Sequence, residues 1–381
     1  MYKLKKAVIA DDNGRSTWLT VKLQVDPCVV ISISAKYWLV NHTSLPLVFR
    51  QKECETAAGQ FDDHEEARCR MPLLFAYTDF EAPPYCQVRL GKKIARSGRS
   101  WSAEFSLEDE CLRELESDKS RFYIGISVAQ GTGDYKDTKI VTFSPRFILQ
   151  NSTTFNLKFS QQHQVFGMWE RDPEHAVEAP PDSNCNFHWS DPSKPPYLCL
   201  RVTKPFSSRW SGGFSISKTQ TCYLNIRVGH SRTVFLEVEV IYQFAIFFVQ
   251  IRELNNVPPL IRIDNLSAVP VTIMQSGVRD ASIRVEIPPE SSMPYSMDEP
   301  TLPEVLACHV RSSKQALVDL TDLVTTGSLY YENLLFLIAK EKALDVDEQF
   351  NLFLNDKIST RRSQVKFRFS FMFSNVSALA N

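Results

Sequence analysis

Six side-chain amides recur along this chain at near-fixed intervals. Asn41, Asn151 and Asn265 stand 110 and 114 residues apart, and a glutamine follows each by ten places, at Gln51, Gln161 and Gln275. The asparagines lie in matching boxes, Tyr37-Trp-Leu-Val-Asn41-His-Thr43, Phe147-Ile-Leu-Gln-Asn151-Ser-Thr153 and Ile261-Arg-Ile-Asp-Asn265-Leu-Ser267. An amide offers one acceptor and two donors on a short stem, so it can tie backbone on both sides of a bend, whereas a carboxylate only accepts. The chemistry on offer is hydrogen bonding rather than bond making. Two roles fit it: a staple inside a corner of the fold, or a contact on a repeated peptide-binding edge.

Groups that make and break bonds are not organised in the same way. The chain has no G-x-S-x-G elbow, phosphate-binding G-x-x-x-x-G-K-[ST] loop or H-E-x-x-H helix, and Gly131-Thr-Gly133 lacks the last glycine of a dinucleotide fingerprint. Cys54, His64 and Cys69 share an acidic stretch with Asp62, Asp63, Glu65 and Glu66, but at a spacing that matches no zinc pattern. Adjacent carboxylates of this kind read as a solvated loop, because a general acid needs one buried member. No enzyme, metal or cofactor is expected. Two basic clusters, Arg89/Lys92/Lys93/Arg96/Arg99 and Lys357/Arg361/Arg362/Lys366/Arg368, could face phosphoinositide headgroups. They lack the interleaved aromatics that stack nucleic-acid bases, and 43 basic against 44 acidic residues leave no global field, so no nucleic-acid partner is expected.

The nine cysteines are odd in number, irregularly spaced and without a C-x-x-C pair, which predicts reduced thiols and a cytoplasmic setting. The apolar run 7–10 stops at Asp11, too short for a signal-peptide core, so the Asn-x-Ser/Thr patterns of the three boxes are not expected to carry glycans. The longest apolar run, 244–249, is far below the roughly 20 residues that span a bilayer.

The elements that must position the amides are strands. Alternating pairs Leu47/Phe49, Leu157/Phe159 and Val271/Ile273 separate each asparagine from its glutamine, giving strand, corner, strand. A second box follows: Phe75-x-Tyr77-x-Asp79 before Pro83-Pro84-Tyr85, Phe187-x-Trp189-x-Asp191 before Pro195-Pro196-Tyr197, and a weaker copy at Tyr295, Met297, Glu299 and Pro303. Boxes Trp101-Ser-x-x-Phe105-Ser and Trp210-Ser-x-x-Phe214-Ser come next, then Tyr123-Ile-x-Ile126-x-Val128, aligned with Tyr223-Leu-x-Ile226-x-Val228. The pattern predicts an all-β chain, a tandem array of about three antiparallel β-sandwich modules forming an elongated or arc-like rod, with modules at 1–142, 143–245 and 246–381. Leu107, Cys111, Leu112 and Leu115 stand at helical spacing in the stretch between Phe105 and Tyr123, which is longer than that between Phe214 and Tyr223 in module two, and this predicts a small inserted helix or lid. Residues 329–340 fit strand or helix, and the chain beyond Lys342 fits an irregular third module or the opening of a fourth.

With Tyr37-Trp-Leu-Val-Asn41-His-Thr-Ser-Leu45-Pro46-Leu47-Val-Phe49-Arg-Gln51, Pro72-Leu-Leu-Phe75 and the Trp/Phe-Ser boxes in view, the chain resembles the adaptor-binding region of the vacuolar protein sorting-associated protein 13 family of bridge-like lipid transfer proteins. The stretch Ala57 to Arg68 is similar to the D-type branch. The resemblance covers roughly residues 18–340 and implies six β-modules in the whole region, each with a signature asparagine, here Asn41, Asn151 and Asn265. It also implies a non-catalytic role: late modules bind Pro-x-Pro peptides of adaptor proteins on organelle membranes, mitochondria among them, and so place the lipid-conducting body peripherally at membrane contact sites. A phosphoinositide-binding surface on the basic clusters is the alternative. The third module departs from the pattern in having no tryptophan equivalent to Trp101 or Trp210.

Overall fold

Burial along the chain alternates with period two, and a strand is the backbone that this period dictates. In the computed structural model, residues 3–25, 27–60, 71–79, 81–92, 94, 100–116, 121–162, 176–189, 196–229, 232–254, 261–311, 314–321, 327–331, 334–343 and 366–375 are described. Tyr37–Asn41 and Cys86–Leu90 each bury every second side chain. Among the described residues the only helical elements are two short 3-10 turns, Gly133–Tyr135 and Ala281–Ile283.

Each asparagine strand belongs to a five-stranded sheet of the same order. The first runs Leu73–Phe75, Tyr37–Asn41, Lys139–Pro145, Arg121–Gln130, Cys111–Glu116; the second runs Ser183–Phe187, Phe147–Ser152, Ile246–Glu253, Arg232–Gln243, Gln220–Val228. The third runs Ser291–Tyr295, Ile261–Asn265, Lys366–Asn375, Leu334–Ala343, Gly327–Tyr331. Pairing is antiparallel except where the asparagine strand meets the closing strand of its own unit, which lies parallel to it in all three copies. A smaller antiparallel sheet pairs the glutamine strand of each unit with its neighbours: Leu47–Gln51 with Cys86–Leu90, Asn156–Gln161 with Tyr197–Lys204, and Val271–Gln275 with Val305–His309. Among the described residues three separate apolar clusters are buried: one around Tyr37, Phe75 and Phe143, one around Phe159, Phe187 and Val249, and one around Ile263, Tyr295 and Cys308.

The stretch read as an inserted helix is a strand. Cys111–Glu116 forms the edge of the first five-stranded sheet, paired in register from Cys111↔Ile126 to Glu116↔Arg121. Leu115 is buried and Leu112 is exposed, which is strand alternation. Its Leu, Arg and Glu residues favour helix on their own, and the pairing surface overrides that weak preference. This strand is the counterpart of Gln220–Val228. Tyr123 therefore corresponds to Phe235 and not to Tyr223, since Val128↔Val141 and Val240↔Val249 occupy the same place beside their asparagine strands. The ambiguous segment forms the strands Gly327–Tyr331 and Leu334–Ala343, and Lys366–Asn375 closes the third sandwich beside Ile261–Asn265 rather than opening a fourth.

Sandwiches one and two meet with a single residue between their strands. Arg146 donates its N–H to the Tyr123 carbonyl, and its own carbonyl accepts from Phe247, at 2.9 and 2.8 Å. The two-residue hairpin Phe244-Ala245, at φ of 51° and 61°, turns its backbone against Gly125; a Cβ there would lie 2.5 Å from the Ala245 oxygen. Left-handed backbone without glycine is costly, and it is held here by that close approach and by the Arg146 guanidinium, which donates to Ala245 O at 3.1 Å.

Candidate functional site

The three signature asparagines are buried one per sandwich and do not converge. Asn151 is 1% exposed; its Nδ2 donates to the carbonyls of Phe155, Ala179 and Pro180 at 2.8–2.9 Å, and its Oδ1 accepts from the N–H and Oγ1 of Thr153 at 3.1 and 2.7 Å. Asn265 repeats this with Val269, Ile287, Pro288 and Ser267. Asn41 donates to Leu45 O at 2.7 Å and accepts from both donors of Thr43. The Thr or Ser two places on is thus part of the corner, and a side-chain nitrogen enclosed in this way has no access for a glycan in the folded chain.

Gln51 and Gln275 lock the acidic end of the second box that follows each of them. Gln51 accepts from the N–H groups of Thr78 and Asp79 and donates to Asp79 O at 2.7 Å. Gln275 accepts from Glu299 N–H at 2.8 Å and donates to Glu299 O at 3.0 Å. The ten-residue offset places one amide at the end of each of two successive strands, where the backbone leaves its sheet.

Of the first basic cluster, Arg89 and Lys92 are described; Lys93, Arg96 and Arg99 lie outside the described residues, as do His64, Cys69, Lys357, Arg361, Arg362 and the side chains of Lys366 and Arg368. The guanidinium groups of Arg50 and Arg89 lie over the Trp101 ring at 4.2 and 5.0 Å, and Arg201 lies over Trp210 at 5.5 Å, so the tryptophan boxes carry stacked cations. The eight described cysteines are unbridged.

A concave site lies where the second sandwich meets the third. A groove of about 620 Å³ runs between the edge strands Phe214–Ser215 and Gln220–Val228 on one side and the third unit on the other. Tyr197, Phe214 and Tyr223 face Tyr295, Met297 and Leu302 across it, while Lys218 and Glu304 also line it and bring opposite charges. Beside the groove, toward the Val228 end of the Gln220–Val228 strand, the same two units are joined by a buried polar network. Arg227 grips Asp298 through two bonds of 2.9 Å, and Asn225 and Tyr295 donate to the same carboxylate at 3.0 and 3.1 Å. Burial pushes the Asp298 carboxyl above its ordinary range, and the Arg227 and Tyr295 hydrogen bonds pull it back in part. Glu299 accepts from the Gly213 N–H at 2.9 Å and from Gln162 at 3.2 Å.

These residues were not legible as a site. The one signal was the third box, which ends in Glu299 where the others end in Asp79 and Asp191, and the longer acid reaches into the neighbouring sandwich. Gly212-Gly213 is the second trace: a Cβ on Gly212 would sit 2.3 Å from Asp298 O.

Tandem two-sheet units, a groove at their junction and amides consumed by internal bonding define a scaffold built for surfaces. The sequence profile of the vacuolar-sorting associated protein 13 adaptor binding domain matches residues 4–304, and the chain belongs to that family. It is 36% identical over 342 residues to the human intermembrane lipid transfer protein VPS13D, covering 86% of this chain and 8% of that protein. The Drosophila melanogaster protein Vps13D is 36% identical over 308 residues, 79% of this chain and 8% of the relative. A Chaetomium thermophilum intermembrane lipid transfer protein, VPS13, is 23% identical over 337 residues, 83% of this chain and 10% of its own length. Two of these three relatives are D-type members, the branch to which the acidic stretch pointed. The chain spans a small part of these relatives, and among the described residues no helix is long and apolar enough to cross a membrane.

Proposed function

We propose that this chain is a non-catalytic adaptor-binding array whose ligand is an extended, proline-containing segment of an adaptor protein on an organelle membrane. The groove between the second and third sandwiches carries the reading. An extended peptide gains affinity from main-chain bonds along a sheet edge and specificity from pockets for alternate side chains, and prolines reduce the entropy lost on docking. Gln220–Val228 is an edge strand, and the partly exposed rings of Tyr197 and Tyr223 beside it suit the flat faces of proline. Through such a contact the array would bring a lipid transfer protein to membrane contact sites, mitochondrial ones included. Asn41, Asn151 and Asn265 act here as staples that hold the corners while the outer surfaces bind.

Fluorescent Pro-x-Pro peptides from mitochondrial and other organelle adaptors, titrated against the 381-residue chain, test this. Binding at roughly micromolar Kd is expected, because a short peptide buries little area and must be ordered. Proline-to-alanine peptides and the groove variant Tyr223→Ala should each weaken it. Binding unchanged by both would reject the groove; binding to phosphoinositide vesicles alone would favour the basic clusters.

A further inference from the structure

The longest apolar run of the chain does more than fill a core. Residues 240–249 carry no charged side chain, and they fold as the tip of the hairpin between Arg232–Gln243 and Ile246–Glu253. The division at 245 expected from the repeats falls inside this tip. On the returning strand Ile246, Phe247 and Val249 are buried, whereas on the outgoing side Ile241, Tyr242 and Phe244 are 41, 50 and 61% exposed.

Folding alone does not call for an aromatic at that turn. A two-residue hairpin with positive φ at both positions favours Asn-Gly, because left-handed backbone crowds a Cβ. Ala245 is buried against Gly125, which accounts for that residue. Phe244 takes the same strained backbone and leaves its ring mostly in solvent. The equivalent hairpin of the first sandwich makes the contrast. It joins Arg121–Gln130 to Lys139–Pro145 through residues 131–138, where Gly133 takes the left-handed position and Asp134, Lys136 and Asp137 bring charge. Glycine and charge serve where a hairpin only has to turn.

The surroundings of the tip select its partner. Arg146 lies over the Tyr242 and Phe247 rings at 5.2 and 4.4 Å and pairs with no carboxylate among the described residues. Apolar surface ends close to the turn: Glu239 pairs with Gln250 along the hairpin, and on the neighbouring edge of the first sandwich exposed Leu112 is followed on its own face by Glu114. Three side chains exposed to this degree offer on the order of 300 Å² of apolar surface, well below the roughly 800 Å² per partner of a stable protein interface. A bilayer asks for no complementary shape, and its interfacial zone takes aromatic and aliphatic side chains beside a cation. We infer that the hairpin tip at 241–244 inserts into the interfacial zone of a phospholipid bilayer, Phe244 foremost, with the Arg146 guanidinium at the level of the headgroup phosphates. Insertion is shallow, because polar surface begins within a few residues of the turn. A single tip of this size gives weak, reversible attachment and acts beside a second contact. It is distinct from the peptide groove and from the basic clusters.

The test floats the whole chain with vesicles of phosphatidylcholine and phosphatidylserine, beside the variant Phe244→Asn. Asparagine suits a left-handed turn, so the variant should melt no lower than the parent while its vesicle binding falls on the order of tenfold or more. Phe244→Trp should keep binding, and lipids brominated near the top of their acyl chains should quench its added emission. Equal binding by Phe244→Asn would overturn the inference and move the lipid contact to the basic clusters. Lower melting of Phe244→Asn would assign the ring to packing and overturn it as well. So would a parent chain that does not float, or a concentration-dependent dimer that Phe244→Asn dissolves, which would make a second copy the occupant.

Discussion

Replacing Asn151 by alanine removes five hydrogen bonds from a buried site. The costs differ by partner. The Thr153 N–H loses its acceptor outright, and an orphaned buried donor costs about 1–3 kcal/mol. The Thr153 hydroxyl keeps partners, since it still accepts from Phe155 N at 3.1 Å and can turn toward Phe155 O. The three carbonyls lose a donor each, a lighter penalty because under-satisfied carbonyls are better tolerated than orphaned N–H groups. Together these give about 3 kcal/mol. For a unit of about 100 residues, that lowers its melting by roughly 12–24 °C. Calorimetry of the whole chain should show one transition moving while the others stay, as expected for units coupled only to neighbours. Asn184→Ala, on an exposed position of the same sandwich, should change stability by no more than about 0.5 kcal/mol. Asn151→Asp is the sharper test, because it keeps the shape and turns the donor toward three carbonyls into an acceptor. Its carboxyl would titrate higher in the folded state than in the unfolded chain. The deficit should therefore be least below the unfolded pKa of about 3.9 and grow as pH rises through the folded value. Parent-like melting of Asn151→Ala, or an aspartate tolerated at neutral pH, would refute the staple.

Three further outcomes follow from the junction and the thiols. Arg227→Ala leaves the buried Asp298 carboxylate without its cation, and should cost about 3–5 kcal/mol at neutral pH; since burial already raises the Asp298 pKa, chemical denaturation should show the deficit shrinking as pH falls through the raised folded value and least below the unfolded pKa of about 3.9, where the acid is neutral in both states. Gly212→Ala should damage the fold more than Gly213→Ala, measured by exchange across both sandwiches. The first meets Asp298 backbone at 2.3 Å, whereas the second meets the Gln162 side chain, which can rotate away. Maleimide should label exposed Cys28 in the native chain and reach Cys86, Cys199 and Cys308 only on unfolding. Burial pushes the Cys222 thiol up to about 12, so its labelling should stay slow even near pH 9.

Local pattern carried much of this architecture into the sequence. Tyr37-Trp-Leu-Val-Asn41 reads as a strand ending in a corner because alternation and the amide are both local, and the structure keeps the two together. The ten-residue offset to Gln51 was visible, but its purpose was not: Gln51 bonds a turn 27 residues away, and only the paired sheets bring that turn near. Cys111–Glu116 failed for the opposite reason. Its residues favour a helix, and the strand exists because Arg121–Gln130 offers an edge. The same slip hid the kinship of Tyr123 with Phe235, since both Tyr123 and Tyr223 begin alternating runs and only the sheet order separates them. Arg227 and Asp298 belong to different repeats, and no periodicity links two residues that meet only when one unit packs on the next.

That last contact explains why the groove lies where it does. Between the first and second sandwiches, Pro145 and Phe147 flank a single residue whose N–H and C=O are bonded into both units, while Arg146 stacks on Phe247 at 4.4 Å. The backbone itself fixes that junction, and Gly125 lets the facing hairpin close on it. Between the second and third, the strands end at Glu253 and resume at Ile261, so no single shared residue ties the two sheets together there. Side chains do it: Arg227 and Asn225 reach Asp298, Arg209 reaches Asp280 at 3.0 Å, and Glu299 caps Gly213. These bonds lie at one end of the Gln220–Val228 edge, beyond Tyr223, and the Gln220–Cys222 end borders the groove. A junction held by side chains at one end of a strand leaves the other end of its edge open. That open end is where the proposed extended ligand has room, beside the groove at the second junction.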